Sequence, residues 1–167
     1  MGWERTLAYW IHRIRRLPGS VYSISAGIAF GASISFTPFV GLHLVLAGLL
    51  AWIFRANLLA SAIGTLVGNP WTFPFIWLWI YQLGVWMGMP GVTDDLQQLE
   101  FSKLFGNILT ALLNFDTSYF VKFAWPVFGP MLLGAIPSGI ASWICFYFLS
   151  KFVIEATHKK KQELPKN

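Results

Sequence analysis

The sequence predicts an all-α integral membrane protein, with about four transmembrane or broken/re-entrant helices plus an N-terminal and a central amphipathic surface helix. Three observations predict it. Of 167 residues, 56% are hydrophobic, 17% aromatic and only 11% charged, against about 25% charged in a soluble domain. Residues 19–54, 56–93 and 123–150 hold no Asp, Glu, Lys or Arg, and uncharged apolar runs longer than about 18 residues are the signature of membrane helices. The net charge of +5 is gathered at the two ends. That composition argues against a cytosolic enzyme, a nucleic-acid reader and a disulfide-stapled secreted domain. Cys145 is the single cysteine and sits inside an apolar run, so neither a disulfide framework nor a multi-cysteine metal site can be built.

The charges also predict orientation. Arg5, Arg13, Arg15 and Arg16 against Glu4 leave +3 at the start, and Lys151, Lys159, Lys160, Lys161 and Lys166 against Glu155 and Glu163 leave +3 at the end. Basic flanks mark the cytoplasmic face. Asp94, Asp95, Glu100 and Asp116 against Lys103 and Lys122 leave −2 in the middle, and Arg55 stands alone between two apolar runs. Four crossings satisfy this: out through 19–37, back by residue 54 to a cytoplasmic Arg55, out through 58–89, in through 125–152. Both termini then lie inside. In the alternative, 19–54 dips and returns without crossing, and hydropathy does not separate the two.

The elements follow in order. Trp3, Leu7, Trp10, Ile11, Ile14 and Leu17 recur at helical spacing until Pro18, giving an amphipathic helix over 1–18 that lies on the inner membrane face or docks on the protein's own helices. Arginines inside that segment disfavour a cleaved signal peptide. Within the multi-pass domain, 19–152, the stretch 19–36 is crowded with small residues. Gly27 and Gly31 form a GxxxG spacing suited to close helix packing. Phe36-Thr37-Pro38 interrupts it, and 40–54 supplies about 15 residues, short for a span of about 20. The run 58–89 is too long for one straight span and breaks at Asn69-Pro70, with Pro74 behind. Gly64/Gly68 and Gly84/Gly88 repeat the GxxxG spacing. Phe101, Leu104, Phe105, Ile108, Leu109, Leu112 and Leu113 predict the central surface helix. In the last span, Pro126, Pro130 and Pro137 disturb the first half, and Gly134, Ser138 and Ser142 form a small face. The basic tail, 153–167, is expected to be cytoplasmic, solvated and disordered from about Glu155.

Polar side chains at membrane depth are the informative ones, because an unpaired polar group in hydrocarbon costs several kcal/mol. They cluster at two breaks that read as a weak repeat of broken helix, proline, helix: 36–43, and 64–72. A half-helix N-terminus carries positive partial charge. Two breaks facing each other, with His43 and Arg55 nearby, would bind an anion or lipid phosphate through Thr37, Pro38, His43, Arg55, Asn57, Asn69, Pro70 and Thr72. The structural alternative makes both breaks ordinary kinks, Asn57 a helix cap, His43 a satisfied helix contact and Arg55 a topogenic charge. No enzyme constellation emerges: Asp94-Asp95 reads as a solvated turn, and His12, His43 and His158 lack metal-ligand spacing. Neither a metal nor a cofactor is expected.

The order Gly27-Ile28-Ala29-Phe30-Gly31, Phe36-Thr37-Pro38-Phe39-Val40-Gly41-Leu42-His43, Arg55-Ala56-Asn57, Gly64 and Gly68-Asn69-Pro70-Trp71-Thr72-Phe73-Pro74 resembles the bacterial membrane family known as domain of unknown function 2062. The resemblance runs over about 17–152. It implies a small multi-pass inner-membrane protein of Gram-negative bacteria, in relatives sometimes fused to a sugar-transferring domain, with no established activity. Where the family often has proline after the asparagine of its Arg-x-Asn element, this chain has Leu58-Leu59. The leading expectation is a noncatalytic carrier or lipid-handling protein whose breaks hold an anionic headgroup such as a polyprenyl phosphate. The alternative is a noncatalytic scaffold or assembly subunit whose small-residue faces pack on a larger inner-membrane complex; a scaffold should bring protein partners, whereas a carrier should run alone or as a homo-oligomer. Membrane lipids are expected partners and nucleic acid is not.

Overall fold

The computed structural model describes residues 18–39, 41–91 and 124–162, which form five α-helices, one 3₁₀ turn and, among the described residues, no strand. The two expected surface helices, 1–18 (but for Pro18) and 101–113, and the Asp94-Asp95 turn lie outside them. Helix α1 is Val21–Ile34, α2 is His43–Ile53, α3 is Leu58–Gly64 running on into the 3₁₀ turn Thr65–Val67, α4 is Phe73–Trp86 and α5 is Trp125–Gln162.

Local chemistry explains the ends. Ser20 caps α1, its Oγ accepting from the Ser23 N–H at 3.1 Å, and Asn57 caps α3, its Oδ1 accepting from the Ala60 N–H at 2.9 Å. Helices α2 and α4 close with the same Schellman geometry. Ala56 N–H reaches Ala51 O and Arg55 N–H reaches Trp52 O, just as Met89 N–H reaches Gly84 O and Gly88 N–H reaches Val85 O. The motif needs a left-handed residue. In α4 it is Gly88, φ +99, and in α2 it is Arg55, φ +52, which among the described residues is the one non-glycine with positive φ. The left-handed conformation costs a side-chain-bearing residue roughly 1–2 kcal/mol. Gly88 therefore ends a helix rather than packing one, with nothing within 4 Å of an added Cβ.

Helices α1 and α3 run parallel and meet backbone to backbone along two matched stripes. Gly27, Gly31 and Ser35 face Ala60, Gly64 and Gly68, each set spaced by four residues. A Cβ on Gly27 would sit 2.5 Å from Asn57 O, one on Gly31 would lie 2.7 Å from the Gly64 Cα and closer still to Ser61 O, and one on Gly68 would lie 2.9 Å from the Ser35 side chain. Only residues this small let two helices approach so closely.

Helix α5 runs antiparallel to both α1 and α4 and frames the fold. Its later half packs on α1: Ser33 Oγ donates to Gly139 O at 2.9 Å, Phe30 meets Trp143 and Tyr22 meets Tyr147, and Ile24, Ile28, Ala60 and Ile154 form one apolar core. Its earlier half packs on α4, with Gly84 against the Pro130 carbonyl and Gly134 against the Ile80 carbonyl, around a second core of Ile76, Ile80, Met131 and Ala135. At 1.5 Å per residue the 38 residues of α5 extend about 57 Å and the 14 of α1 about 21 Å. So α1 covers one half of α5 and α4 the other. The segment expected to leave through 58–89 is two stacked helices with its break where the sequence places it.

Two expectations about α5 change. The helix is continuous through Pro130 and Pro137, and α4 packs closely along this half through Gly84 and Gly134. It also runs past Glu155 to Gln162, with Lys151 and Glu155 paired one turn apart at 3.9 Å.

Large apolar side chains stand on the surface as well as in the two cores. Trp52, Trp71, Phe75, Trp86, Ile136 and Phe152 stand out into the surroundings, while Ser25, Ser35, Ser61, Thr65, Ser138 and Ser142 are buried. One described helix, over Trp125–Ala156, is long and apolar enough to cross a membrane, and only 28% of its most apolar window is buried, unlike the core helix of a soluble protein.

The stripe contact predicts a contrast between glycines. Gly31→Ala should lower stability by about 1–3 kcal/mol, since the atoms in its way are backbone. Gly48→Ala in α2, with nothing within 4 Å, should be neutral or raise it by up to about 1 kcal/mol. Thermal unfolding of both variants in the same detergent checks this; equal midpoints would remove the close crossing.

Candidate functional site

The two breaks meet. Ser35 Oγ, at the end of α1, donates towards Gly31 O at 3.1 Å and lies 3.4 Å from Thr65 O across the interface. Gly68 sits against Ser35 and Phe73. The His43 ring at the start of α2 lies edge-on to Phe73 at the start of α4, centroids 5.7 Å apart and planes 71° apart. Phe36, at the tip between α1 and α2, packs on the core shared by α4 and α5.

The second break satisfies its own backbone. Asn69 Oδ1 accepts from Trp71 N–H at 3.0 Å and from Thr72 N–H at 3.1 Å, and Asn69 Nδ2 donates to Leu66 O at 3.3 Å. In return Thr72 Oγ1 accepts from Asn69 N–H at 2.9 Å and lies 2.6 Å from Val67 O. This reciprocal pair with Pro70 between is a capping box, and proline is favoured as the first residue after such a cap. At the first break, Thr37 Oγ1 donates to Ile34 O at 2.7 Å and Pro38 is buried.

His43 departs from the expected satisfied helix contact: its Nδ1 is buried with no hydrogen-bond partner. No side chain caps α2, so the histidine stands beside a helix N-terminus whose first donors have no side-chain acceptor. Thr72 makes no cap bond to α4 either, although Asn69 takes up the two N–H groups before it. The α4 start is thus closed by Asn69, with Phe73 N–H bonded to Asn69 O at 2.9 Å, and the unpartnered imidazole nitrogen lies at the uncapped start of α2, where the helix dipole favours negative charge.

Arg55 and Asn57 are elsewhere. They follow the far end of α2, whose 11 residues extend about 16 Å from His43. Asn57 is fully engaged: besides capping α3, its Nδ2 donates to Pro18 O at 2.6 Å and its N–H to Ser23 O at 2.9 Å. Arg55 is exposed, beside a groove lined by Trp52, Ile53, Ala56 and Leu58. The expected site therefore divides, with Thr37, Pro38, His43, Asn69, Pro70 and Thr72 on segments that meet and Arg55 and Asn57 at the other end. Among the described residues no group of His, Cys, Asp and Glu could hold a metal.

Phe73 and Ser35 also shape the site and were not expected to. A phenylalanine in an aromatic run carries no polar signal. Ser35 was legible in principle, four residues beyond Gly31 on the same stripe.

Fold and site define an all-α protein with an apolar exterior, a small-residue interior and two apposed helix breaks. The chain belongs to the family described as "Uncharacterized protein conserved in bacteria (DUF2062)", whose model matches residues 4–163. No curated protein and no solved structure matches the chain.

The capping geometry separates two asparagines. Asn57→Ala should cost about 1 kcal/mol while Asn57→Asp, which keeps the acceptor, costs less. Asn69→Ala should cost roughly 1–3 kcal/mol because Trp71 N–H and Leu66 O lose their partner at once, while Thr72 N–H keeps Asn69 O. Thermal unfolding of the three variants reads the order.

Proposed function

We propose that this chain is a multi-pass protein of the bacterial inner membrane, with both termini cytoplasmic, that acts as a noncatalytic carrier or handler of an anionic lipid headgroup of the polyprenyl phosphate class. The site is the meeting point of the two breaks. The observation that carries this reading is the uncapped start of α2 at His43, whose buried Nδ1 has no hydrogen-bond partner and whose ring lies against Phe73 of the second break. Discontinuous helices whose N-termini point at an anionic group are how many membrane carriers build a site near the bilayer midplane.

The membrane setting has its own support. The exterior is apolar and the interior holds hydroxyls and glycines, the pattern expected where lipid and not water surrounds the helices. Against a hydrocarbon core of about 30 Å, the roughly 21 Å of α1 and 16 Å of α2 favour a re-entrant hairpin over two crossings. In that topology α3 and α4 together cross outward and α5 crosses back. The breaks then lie level with Gly139, near the middle of the stretch Trp125–Ala156.

The scaffold reading rested on small-residue faces free to receive partners. Gly27, Gly31, Gly64, Gly84 and Gly134 all have their near neighbours inside the chain, which favours the carrier.

Two measurements test the proposal. Sodium carbonate should leave the chain in the membrane pellet, and its release without detergent would end the membrane reading. In native mass spectrometry the detergent-purified chain should carry an isoprenoid phosphate lipid, and His43→Phe, which keeps an aromatic edge against Phe73, should weaken that binding about tenfold, equivalent to about 1.4 kcal/mol. Equal lipid occupancy in both proteins would refute the site.

A further inference from the structure

The far end of α2 carries a second feature. The Schellman turns closing α2 and α4 have the same hydrogen bonds, yet α4 places Gly88 at the left-handed position and α2 places Arg55 there. Backbone energetics favour glycine at such a position. The arginine therefore has its justification in the side chain.

Arg55 makes no ion pair with any described residue: the described ion pair is Lys151–Glu155. The residue borders an open groove of about 440 Å³, whose other walls are Trp52, Ile53, Ala56 and Leu58. Trp52 and Leu58 are 70% and 53% exposed, and among the described residues that line the groove Arg55 alone is charged. Lys151 lies at the same end of the molecule, paired with Glu155 at 3.9 Å. Tyr22 reaches the Phe54 carbonyl at 3.5 Å and stacks edge-on against Tyr147, one helical turn before Lys151. An occupant with one phosphate and long alkyl chains matches a guanidinium set among exposed apolar walls. Guanidinium holds phosphate with a planar fork of donors, and tryptophan favours the boundary between headgroups and acyl chains.

We propose that this groove binds one anionic phospholipid, its phosphate on the Arg55 guanidinium and an acyl chain along Trp52 and Leu58. The site rests on the membrane setting of the chain but not on the carrier site, from which it is separated by the length of α2. It holds a bilayer lipid at the basic face and fixes the depth of the hairpin.

The test uses the full chain, purified in mild detergent, delipidated, and titrated in native mass spectrometry with dioleoyl phosphatidylglycerol or dioleoyl phosphatidylcholine. Wild type should bind one phosphatidylglycerol about tenfold more tightly than phosphatidylcholine. Arg55→Gly suits the left-handed turn, so it should unfold no earlier than wild type and yet lose the preference. Ala56→Trp keeps the charge and fills the groove, and should lose it too. Lys151→Gln should retain it. Preference surviving in Arg55→Gly or Ala56→Trp overturns the site, and so does its loss in Lys151→Gln, which would trace it to diffuse charge. Isoprenoid phosphate occupancy should persist in Arg55→Gly and fall in His43→Phe, so the two sites fail separately.

Discussion

The contact between two parallel stripes of small residues is the constraint on which the rest of this protein depends. Where Gly31 meets Gly64, a single methyl group would meet backbone, and backbone cannot move aside as a side chain can. Close-packed interiors are felt to the last methylene, and here even one is excluded. The approach fixes the axial register of α1 and α3. Once Gly27 lies at Ala60 and Gly31 at Gly64, Ser35 must lie at Gly68, and the two breaks arrive at one level.

Helix α5 converts that local register into a two-tier fold. Its later half completes the core around Ile24, Ile28 and Ala60, and its earlier half completes the core around Ile76 and Ile80. The tiers join at the breaks, where Ser33 bonds to Gly139 and Phe36 reaches the core of the second tier. Most polar atoms there are already occupied by near neighbours in sequence. Asn69 and Thr72 saturate their own turn, and Thr37 returns its hydroxyl to Ile34. A broken helix with satisfied backbone is stable at low dielectric, and at the first break it leaves His43 Nδ1 buried without a hydrogen-bond partner. The hydrogen bonds at the breaks account for them as kinks, and the proposed site rests on the one imidazole nitrogen they leave out.

The ends of α2 divide the roles expected of one cluster. His43 and Arg55 are separated by a whole helix, so two residues expected in one site stand at different levels of the molecule. In the proposed membrane setting, one is near the middle of the lipid and the other at its basic edge.

Whatever is decided within about four residues was readable from the chain alone. Charge-free runs marked the helices, Asn57 announced its cap, Asn69-Pro70 announced its break, and the GxxxG spacings marked Gly27, Gly31 and Gly64 as contact residues, because hydrogen bonds of caps and turns link near neighbours. Tertiary structure alone decided which glycines meet. Gly84 and Gly88 share a GxxxG spacing, yet one packs on Pro130 and the other only turns the chain, since spacing does not say what lies opposite. Continuity of α5 through two prolines likewise appeared only in the folded chain. So did the separation of Arg55 from His43, because the distance between two residues depends on whether the chain between them folds back or runs straight, and here it is a straight helix.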